Sequence, residues 1–306
     1  MSRALVTGAS GFIGSHLSRR LVESGAETHA VSRRARSDGE ARWWQVDLTD
    51  ADAVERLVDR VRPDVIYHLA GHVSGSRSID AVIPSLQQNL VAAVHVLVAA
   101  ARSGSRVVLA GSMEEEVTFE ARPPSSPYAA AKEAATSFGR MLAALHRLPV
   151  VNIRLFMVYG PGQADHTKLV PYVVTSFLRG EKPQLASGSR PVDWIYVDDA
   201  VDAFVAAGHT SDLAGETIDV GSGELVTIRS IVEQIAEVVG TDVEPEFGAL
   251  PERPLETIRV ADLERSRVRL GWKPTTPLTD GLRATVDAYR DEFAHIEPPV
   301  RERGGV

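Results

Sequence analysis

The N-terminus constrains the fold more than any other stretch. Arg3–Thr7 is short, apolar and partly β-branched, and it runs straight into Gly8-Ala9-Ser10-Gly11-Phe12-Ile13-Gly14. Helical periodicity follows from Gly11 to Ser24 and stops at Gly25. Strand, glycine loop and helix in that order are the context in which a glycine motif carries meaning. Gly8 suits the tight turn. Gly11 lets backbone approach a pyrophosphate at the helix N-terminus, where free N–H groups and the helix dipole favour anions. Gly14 permits close helix–strand packing. The spacing is G-x-x-G-x-x-G, and Ser10, Phe12 and Ile13 complete the candidate nucleotide loop.

The rest of the first half repeats the alternation. Strands are expected at Glu27–Ser32, Arg42–Val46, Asp64–His68, Arg106–Ala110 and Val150–Phe156, and helices at Asp50–Val61, Ile83–Arg102 and Tyr128–His146. Apolar strands between helices imply a parallel sheet covered on both faces. The expected fold is therefore α/β, a doubly wound parallel sheet of the Rossmann kind with a smaller, mostly C-terminal α/β substrate lobe. After Gly160 the chain becomes loop-rich, with helices at Leu169–Arg179, Val197–Ala207 and Ile228–Val239. We expect a dinucleotide-binding domain over 1–160 with 193–220 returning to it, and a lobe from 161–192 and 221–296. The charged tail 297–306 is expected to fray.

Composition narrows the chemistry. The 306 residues hold no cysteine, which excludes disulfides, thiolate nucleophiles and Cys-ligated metals. A formal charge of -8 disfavours nucleic acid as a partner. No run of about 18 apolar residues is apparent, so no membrane span is expected and the cytoplasm is the default compartment. No His/Asp/Glu grouping has metal-ligand spacing, so no metal is expected.

Two further sites carry chemical information. An NAD site places Asp or Glu about 20 residues after the glycines, on the ribose 2′-hydroxyl. Here Ser32-Arg33-Arg34 stand at the end of the second strand, a hydroxyl and two guanidiniums suited to a 2′-phosphate. NADP(H) is thus the preferred cofactor, with NAD(H) acceptable. Asp47-Leu48 would lie by the adenine, although Asp47 could equally cap the next helix. Tyr128 and Lys132 are four apart at a helix start and share a face. An ammonium near a phenol favours the phenolate, which fits the tyrosine for proton transfer. Ser112 follows the fifth strand, at the sheet edge where ligands of open α/β sheets bind.

With these residues the chain resembles the extended short-chain dehydrogenase/reductases, the NAD-dependent epimerase/dehydratase family, over nearly its whole length. The likeness rests on the glycine loop, Val46-Asp47-Leu48-Thr49-Asp50, His68-Leu69-Ala70-Gly71, Asn89, Ser112, Tyr128 with Lys132, Val158-Tyr159-Gly160-Pro161-Gly162, Val197-Asp198-Asp199 and Arg253-Pro254. It implies Tyr128 as acid/base, Lys132 as tuner and ribose ligand, and Ser112 as partner of the reacting oxygen. Leu69, Ala70, Gly71 and Phe156 would line the cofactor cleft. Met113, Glu114, Met157, Lys168, Leu169, Arg190 and Arg253 would meet a nucleotide-sugar substrate. The helices near Ile83–Arg102 and Tyr128–His146 would form a homodimer face, with small outward residues Ala130 and Ala134.

The run Ser112-Met113-Glu114-Glu115-Glu116 departs from the 4,6-dehydratases that place Asp-Glu after the strand-end hydroxyl. Glu114 keeps dehydration of the Ser-Glu kind open. Glu115 and Glu116 read as a solvated loop. The run resembles most the reductases of nucleotide 4-keto-6-deoxyhexoses, of the GDP-4-keto-6-deoxymannose reductase kind. The expected reaction is NADPH-dependent reduction of a C4 ketone in deoxysugar biosynthesis, with a nucleotide-sugar 4-epimerase or 4,6-dehydratase as the alternatives and a redox-inactive sensor as a third.

Overall fold

A computed structural model describes residues 2–115 and 123–296; Glu116 and the tail 297–306 lie outside the described residues. The chain forms two compact units. The first holds residues up to Val158 with Asp193–Leu225 and Arg253–Thr275. The second holds Tyr159–Val192, Val226–Glu252 and the residues from Thr276 on. Arg253–Thr275 thus packs with the first unit, whereas the change of texture along the sequence groups it with the lobe.

The first unit is built on β1 (Arg3–Thr7), β2 (Glu27–Ser32), β3 (Arg42–Gln45), β4 (Val65–His68), β5 (Arg106–Ser112), β6 (Val150–Leu155) and β7 (Thr217–Val220). Their order is β7-β6-β5-β4-β1-β2-β3, and every neighbouring pair is parallel. The order reverses at β1, which lies between β2 and β4. Such a switch point leaves a crevice outside the C-terminal strand ends, here at Thr7 and His68.

Alternation along each strand feeds a core on each face. Ala4, Val6, Tyr67, Val108 and Ile153 pack with Leu17 of α1 (Phe12–Glu23) and Phe204 of α6 (Val197–His209). Leu5, Ile66, Leu109 and Val150 pack against α2 (Ala51–Val61), α3 (Ala92–Ser103) and α4 (Pro127–His146) through Leu57, Leu97 and Ala135. The long helix expected over Ile83–Arg102 is segmented. It starts at Ile79, passes through a π-helical turn at Leu86–Val91 and becomes α3. π turns are rare and tend to sit at functional sites; this one carries Asn89. One expectation needs amending. Ile79–Ser103 is long and apolar enough by composition to cross a membrane. Its buried Ala93, Val96 and Leu97 belong to the core beside the sheet, so the apolarity has a packing reason.

In the second unit α5 (Leu169–Leu178), α7 (Ile228–Val239) and α8 (Leu278–Ile296) pack on one another. Gln184–Leu185 pairs in parallel with Glu246–Phe247, and Arg229 lies 3.8 Å over the Phe247 ring centroid.

Candidate active site

The glycine loop is shaped by contacts that forbid side chains. Gly8 has φ +70, and a Cβ there would lie 2.6 Å from Ala70 N and 2.7 Å from Leu69 C. The loop after β1 therefore touches the loop after β4 at the switch point. A Cβ on Gly14 would lie 2.1 Å from Gly8 O, so the first turn of α1 closes directly onto the loop. Gly11 is the N-cap of α1 and gives it no side-chain cap. N–H groups at the helix start are left to a ligand or to water. Ser10 and Gly11 are exposed, Phe12 and Ile13 half-buried.

Beneath this loop, Thr7 Oγ1 lies 2.8 Å from Nδ1 of His68 and accepts from Ala70 N–H at 3.3 Å. His68 is buried and its Nε2 has no partner. Burial, with the nearby Lys132 charge, pushes its pKa down to about 3, so the ring is neutral. Asn89 Oδ1 accepts from His72 N–H at 2.8 Å and Nδ2 donates to His72 O at 3.1 Å. That clamp fills the space over Gly71, where a Cβ would meet Asn89 Oδ1 at 2.6 Å and Lys132 Nζ at 3.7 Å. Leu69, Ala70 and Gly71 thus run between the glycine loop and Lys132.

Strand β5 extends two residues beyond expectation and ends on Ser112. The Ser112 hydroxyl accepts Glu114 N–H at 3.2 Å and lies near enough to Tyr128 to lower its pKa against the effect of burial. Helix α4 opens with Ser126 as N-cap, accepting Ala129 N–H at 3.1 Å, and Pro127 in the first turn. This start places Tyr128 and Lys132 on one buried face. Lys132 Nζ donates to Ala110 O at 2.8 Å and lies 5.9 Å from the Tyr128 ring centroid.

The phenol is not depressed as the Lys132 spacing suggests. Burial pushes Tyr128 well above the ordinary tyrosine range; the Ser112 bond opposes this, and the Glu114 and Glu115 carboxylates reinforce it. Burial also lowers Lys132, against the Glu115 charge.

The acidic run is ordered differently from the expected solvated loop. Glu114 is exposed, but Oε2 accepts from Ser125 Oγ at 3.0 Å and Ser126 Oγ at 3.1 Å. Glu115 is buried, accepting from Ser112 N–H, Thr136 Oγ1 and Asn152 Nδ2. Arg259 donates to Met113 O at 3.0 Å and to Glu115 O. Met113 packs with Phe156 and Ala261 in a small apolar cluster.

At the other end of the cleft, Ser32 Oγ accepts Arg34 N–H at 3.2 Å and Arg33 reaches Gln88 Oε1 at 3.4 Å. Both arginines are exposed at the end of β2. Asp47 is not the cap of α2. It accepts Thr49 N–H and Oγ1 at 2.9 and 2.8 Å, while Asp50 caps the helix by accepting Ala53 N–H. Leu48 is buried beneath it.

Of the expected substrate residues, Met113, Glu114, Met157 and Arg253 belong to the first unit. The Arg253 guanidinium lies against Gly75, where a Cβ would come within 2.8 Å of Nη1. Lys168, Leu169 and Arg190 belong to the second unit. Lys168 precedes α5 and pairs with Asp165 at 3.8 Å; Arg190 O accepts Ile228 N–H and its charge lowers the Glu252 pKa, behind the Ser187 hydrogen bonds. Thr7, Glu115 and Arg259 are site residues that the sequence reading missed. Thr7 and Glu115 stand next to recognised motifs, while Arg259 has no local signal. Among the described residues no cluster of three metal-ligating side chains occurs.

Known proteins resemble this chain along most of its length. A UDP-glucose 4-epimerase of Mycolicibacterium smegmatis is 34% identical, over 95% of this chain and 99% of that protein. A dTDP-glucose 4,6-dehydratase of Streptomyces niveus is 30% identical over 97% and 95%. The structure of Thermus thermophilus UDP-glucose 4-epimerase in complex with NAD superposes with a TM-score of 0.83 at 29% identity, covering 94% of this chain and 99% of that one. The model of the NAD dependent epimerase/dehydratase family matches residues 4–221, and the chain belongs to that family.

Proposed function

We propose that this protein is a nucleotide-sugar 4-epimerase, which oxidises C4 of a nucleotide-linked hexose and reduces it again on the opposite face. The observation that carries the reading is that Ser112, at the end of β5, stands with the buried Tyr128 and Lys132 at the strand ends next to the glycine loop. The 34% identical epimerase supports it over the simple C4-ketone reduction expected from the Ser112–Glu116 run. Dehydration is less well supported. Met113 is apolar and packed, and Glu114 is held by two serine hydroxyls.

A dinucleotide fits the loop, because Gly8 and Gly14 leave no room for side chains and α1 begins uncapped. Gly8, Ser10–Gly14, Leu69–Gly71 and Lys132 would hold it, with Asp47, Leu48 and Phe156 at its edges. When bound, it supplies the two-electron acceptor and donor for C4. Ser112 Oγ and Tyr128 Oη would hold the C4 oxygen and stabilise charge that grows on it. The proton moves at Tyr128 Oη. Burial keeps that phenol protonated, ready to donate when C4 is reduced. Lys132, anchored on Ala110 O, favours proton release in the opposite direction. Arg253 is assigned to the diphosphate by its charge.

The second reading, an NADPH-dependent 4-ketoreductase, is favoured by one observation: Ser32-Arg33-Arg34 at the end of β2, with no acid. On the same ground the cofactor preference we propose is NADP(H), with NAD(H) accepted. We also propose a homodimer through Ile79–Ser103 and α4, whose outward Ile79, Ile83, Phe138 and Leu145 are exposed. Incubation with UDP- and dTDP-hexoses, without added cofactor, tests the epimerase reading. A C4 isomer is expected; no isomer, with NADPH consumed on 4-keto substrates, would favour the reductase.

A further inference from the structure

Glu115 is a buried carboxylate directly beneath the Ser112–Tyr128 pair. It is 2% exposed, yet its solvation is replaced point by point. Oε1 accepts Ser112 N–H at 2.8 Å, and Glu115 N–H donates back to Ser112 O at 3.0 Å. Oε2 accepts Thr136 Oγ1 at 3.0 Å, from the helix turn after Lys132, and Asn152 Nδ2 at 3.1 Å, from β6. Space for the carboxylate exists because residue 111 is glycine: a Cβ there would lie 2.6 Å from Glu115 Oε1 and 2.5 Å from Asn152 Oδ1. From the segment after Arg253, Arg259 fixes the loop by its bonds to Met113 O and Glu115 O. Three stretches of chain therefore converge on the Glu115 side chain, and a fourth, through Arg259, holds its backbone.

A surface glutamate needs none of this, and an unpaired buried carboxylate is costly. We propose that Glu115 is a positioning residue for the C4 chemistry, which fixes the end of β5 so that Ser112 faces Tyr128 and supplies the buried countercharge for the Lys132 ammonium. The inference rests on the Ser112, Tyr128 and Lys132 roles proposed above. The charged and titratable groups around Glu115 are Tyr128 and Lys132 from α4, Arg154 from β6, Glu114 from its own loop and Arg259. Burial raises the Glu115 pKa on balance, against the Ser112 N–H bond, Lys132, the Thr136 bond and Arg154, which favour the carboxylate. The carboxylate in turn raises the Lys132 pKa.

The test reads Lys132 directly. The chain has four lysines, Lys132, Lys168, Lys182 and Lys273, so NMR of protein labelled at lysine Cε resolves the buried one without cofactor or substrate. Glu115→Gln keeps the shape and removes the charge. The Lys132 titration midpoint should fall by about one pH unit. Thr136→Val, a milder change that keeps the fold, removes one bond to the carboxylate and should shift the midpoint the same way by less. In parallel, the pH profile of kcat for C4 isomerisation should move to lower pH in Glu115→Gln while KM stays within about twofold. An unchanged Lys132 midpoint in both folded variants would overturn the proposal. Failure of the wild type to isomerise any sugar would instead remove the epimerase reading and leave the Lys132 measurement standing.

Discussion

Tyr128 and Lys132 were legible in the sequence because helical spacing alone places residues four apart on one face. What spacing could not convey is the balance of terms on the phenol. An ammonium nearby lowers a tyrosine pKa, but burial and the two carboxylates of Glu114 and Glu115 raise it, and here they prevail. Burial therefore holds the Tyr128 phenol protonated. Tyr128→Phe should lower kcat by about 10²–10⁴ while cofactor binding, followed by nicotinamide fluorescence, stays close to wild type. Turnover at the wild-type rate would remove Tyr128 from the mechanism. Arg33 and Arg34 are exposed; the Arg33 guanidinium donates to Gln88 Oε1, and its charge helps lower the Asp47 pKa behind the Thr49 hydrogen bonds. If they read the 2′-phosphate, Arg33→Ala with Arg34→Ala should cost NADPH about 1–3 kcal/mol per lost charge-assisted contact and leave NADH affinity unchanged. Equal losses for both cofactors would refute that role.

Among elements, the glycine loop and the strands were readable because their signals are local: apolar alternation, and glycines where a Cβ would strike backbone. Glu115 was misread for the same reason. Its burial depends on Gly111, Thr136 and Asn152, which lie on three other elements, so a run of three glutamates looks like a solvated loop until the sheet is assembled. The π turn at Leu86–Val91 was likewise invisible, since its apolar period continues that of the flanking helix. Helix α4 has a second face besides the catalytic one. Phe138, Met141 and Leu145 are exposed there, Leu145 by 71%. This stripe is the contact through which the homodimer is proposed. Leu145→Glu should turn a dimer into a monomer in sedimentation velocity; an unaltered dimer would place the contact elsewhere.

For the molecule as a whole, the parallel order β7-β6-β5-β4-β1-β2-β3 brings Thr7, His68 and Ser112 to one sheet edge from distant parts of the chain. The sequence carried this through its alternation of strands and helices, but not the return of Arg253–Thr275 to the first unit, which depends on Ala261 N–H bonding the buried Asp193 at 2.9 Å. Stability should register the buried His68. Its pKa is lowered from 6.5 to about 3, so the unfolded chain binds the proton first. The contribution is present above about pH 6.5 and lost as pH falls towards 3. Urea midpoints should drop between about pH 6.5 and pH 5, and less steeply in His68→Asn. Parallel slopes in the two proteins would contradict the assignment.

Epimerisation turns on the fate of the hydrogen on C4. An enzyme that oxidises C4 and reduces it again returns the same hydrogen, whereas a reductase takes a new one from added cofactor and a dehydratase releases water. The direct measurement is incubation with nucleotide hexose deuterated at C4, followed by mass spectrometry and NMR of the sugar. A C4 isomer that keeps its deuterium without added cofactor is the predicted result. Loss of the label to added cofactor, or a 4-keto-6-deoxy product formed with loss of water, would contradict the epimerase account.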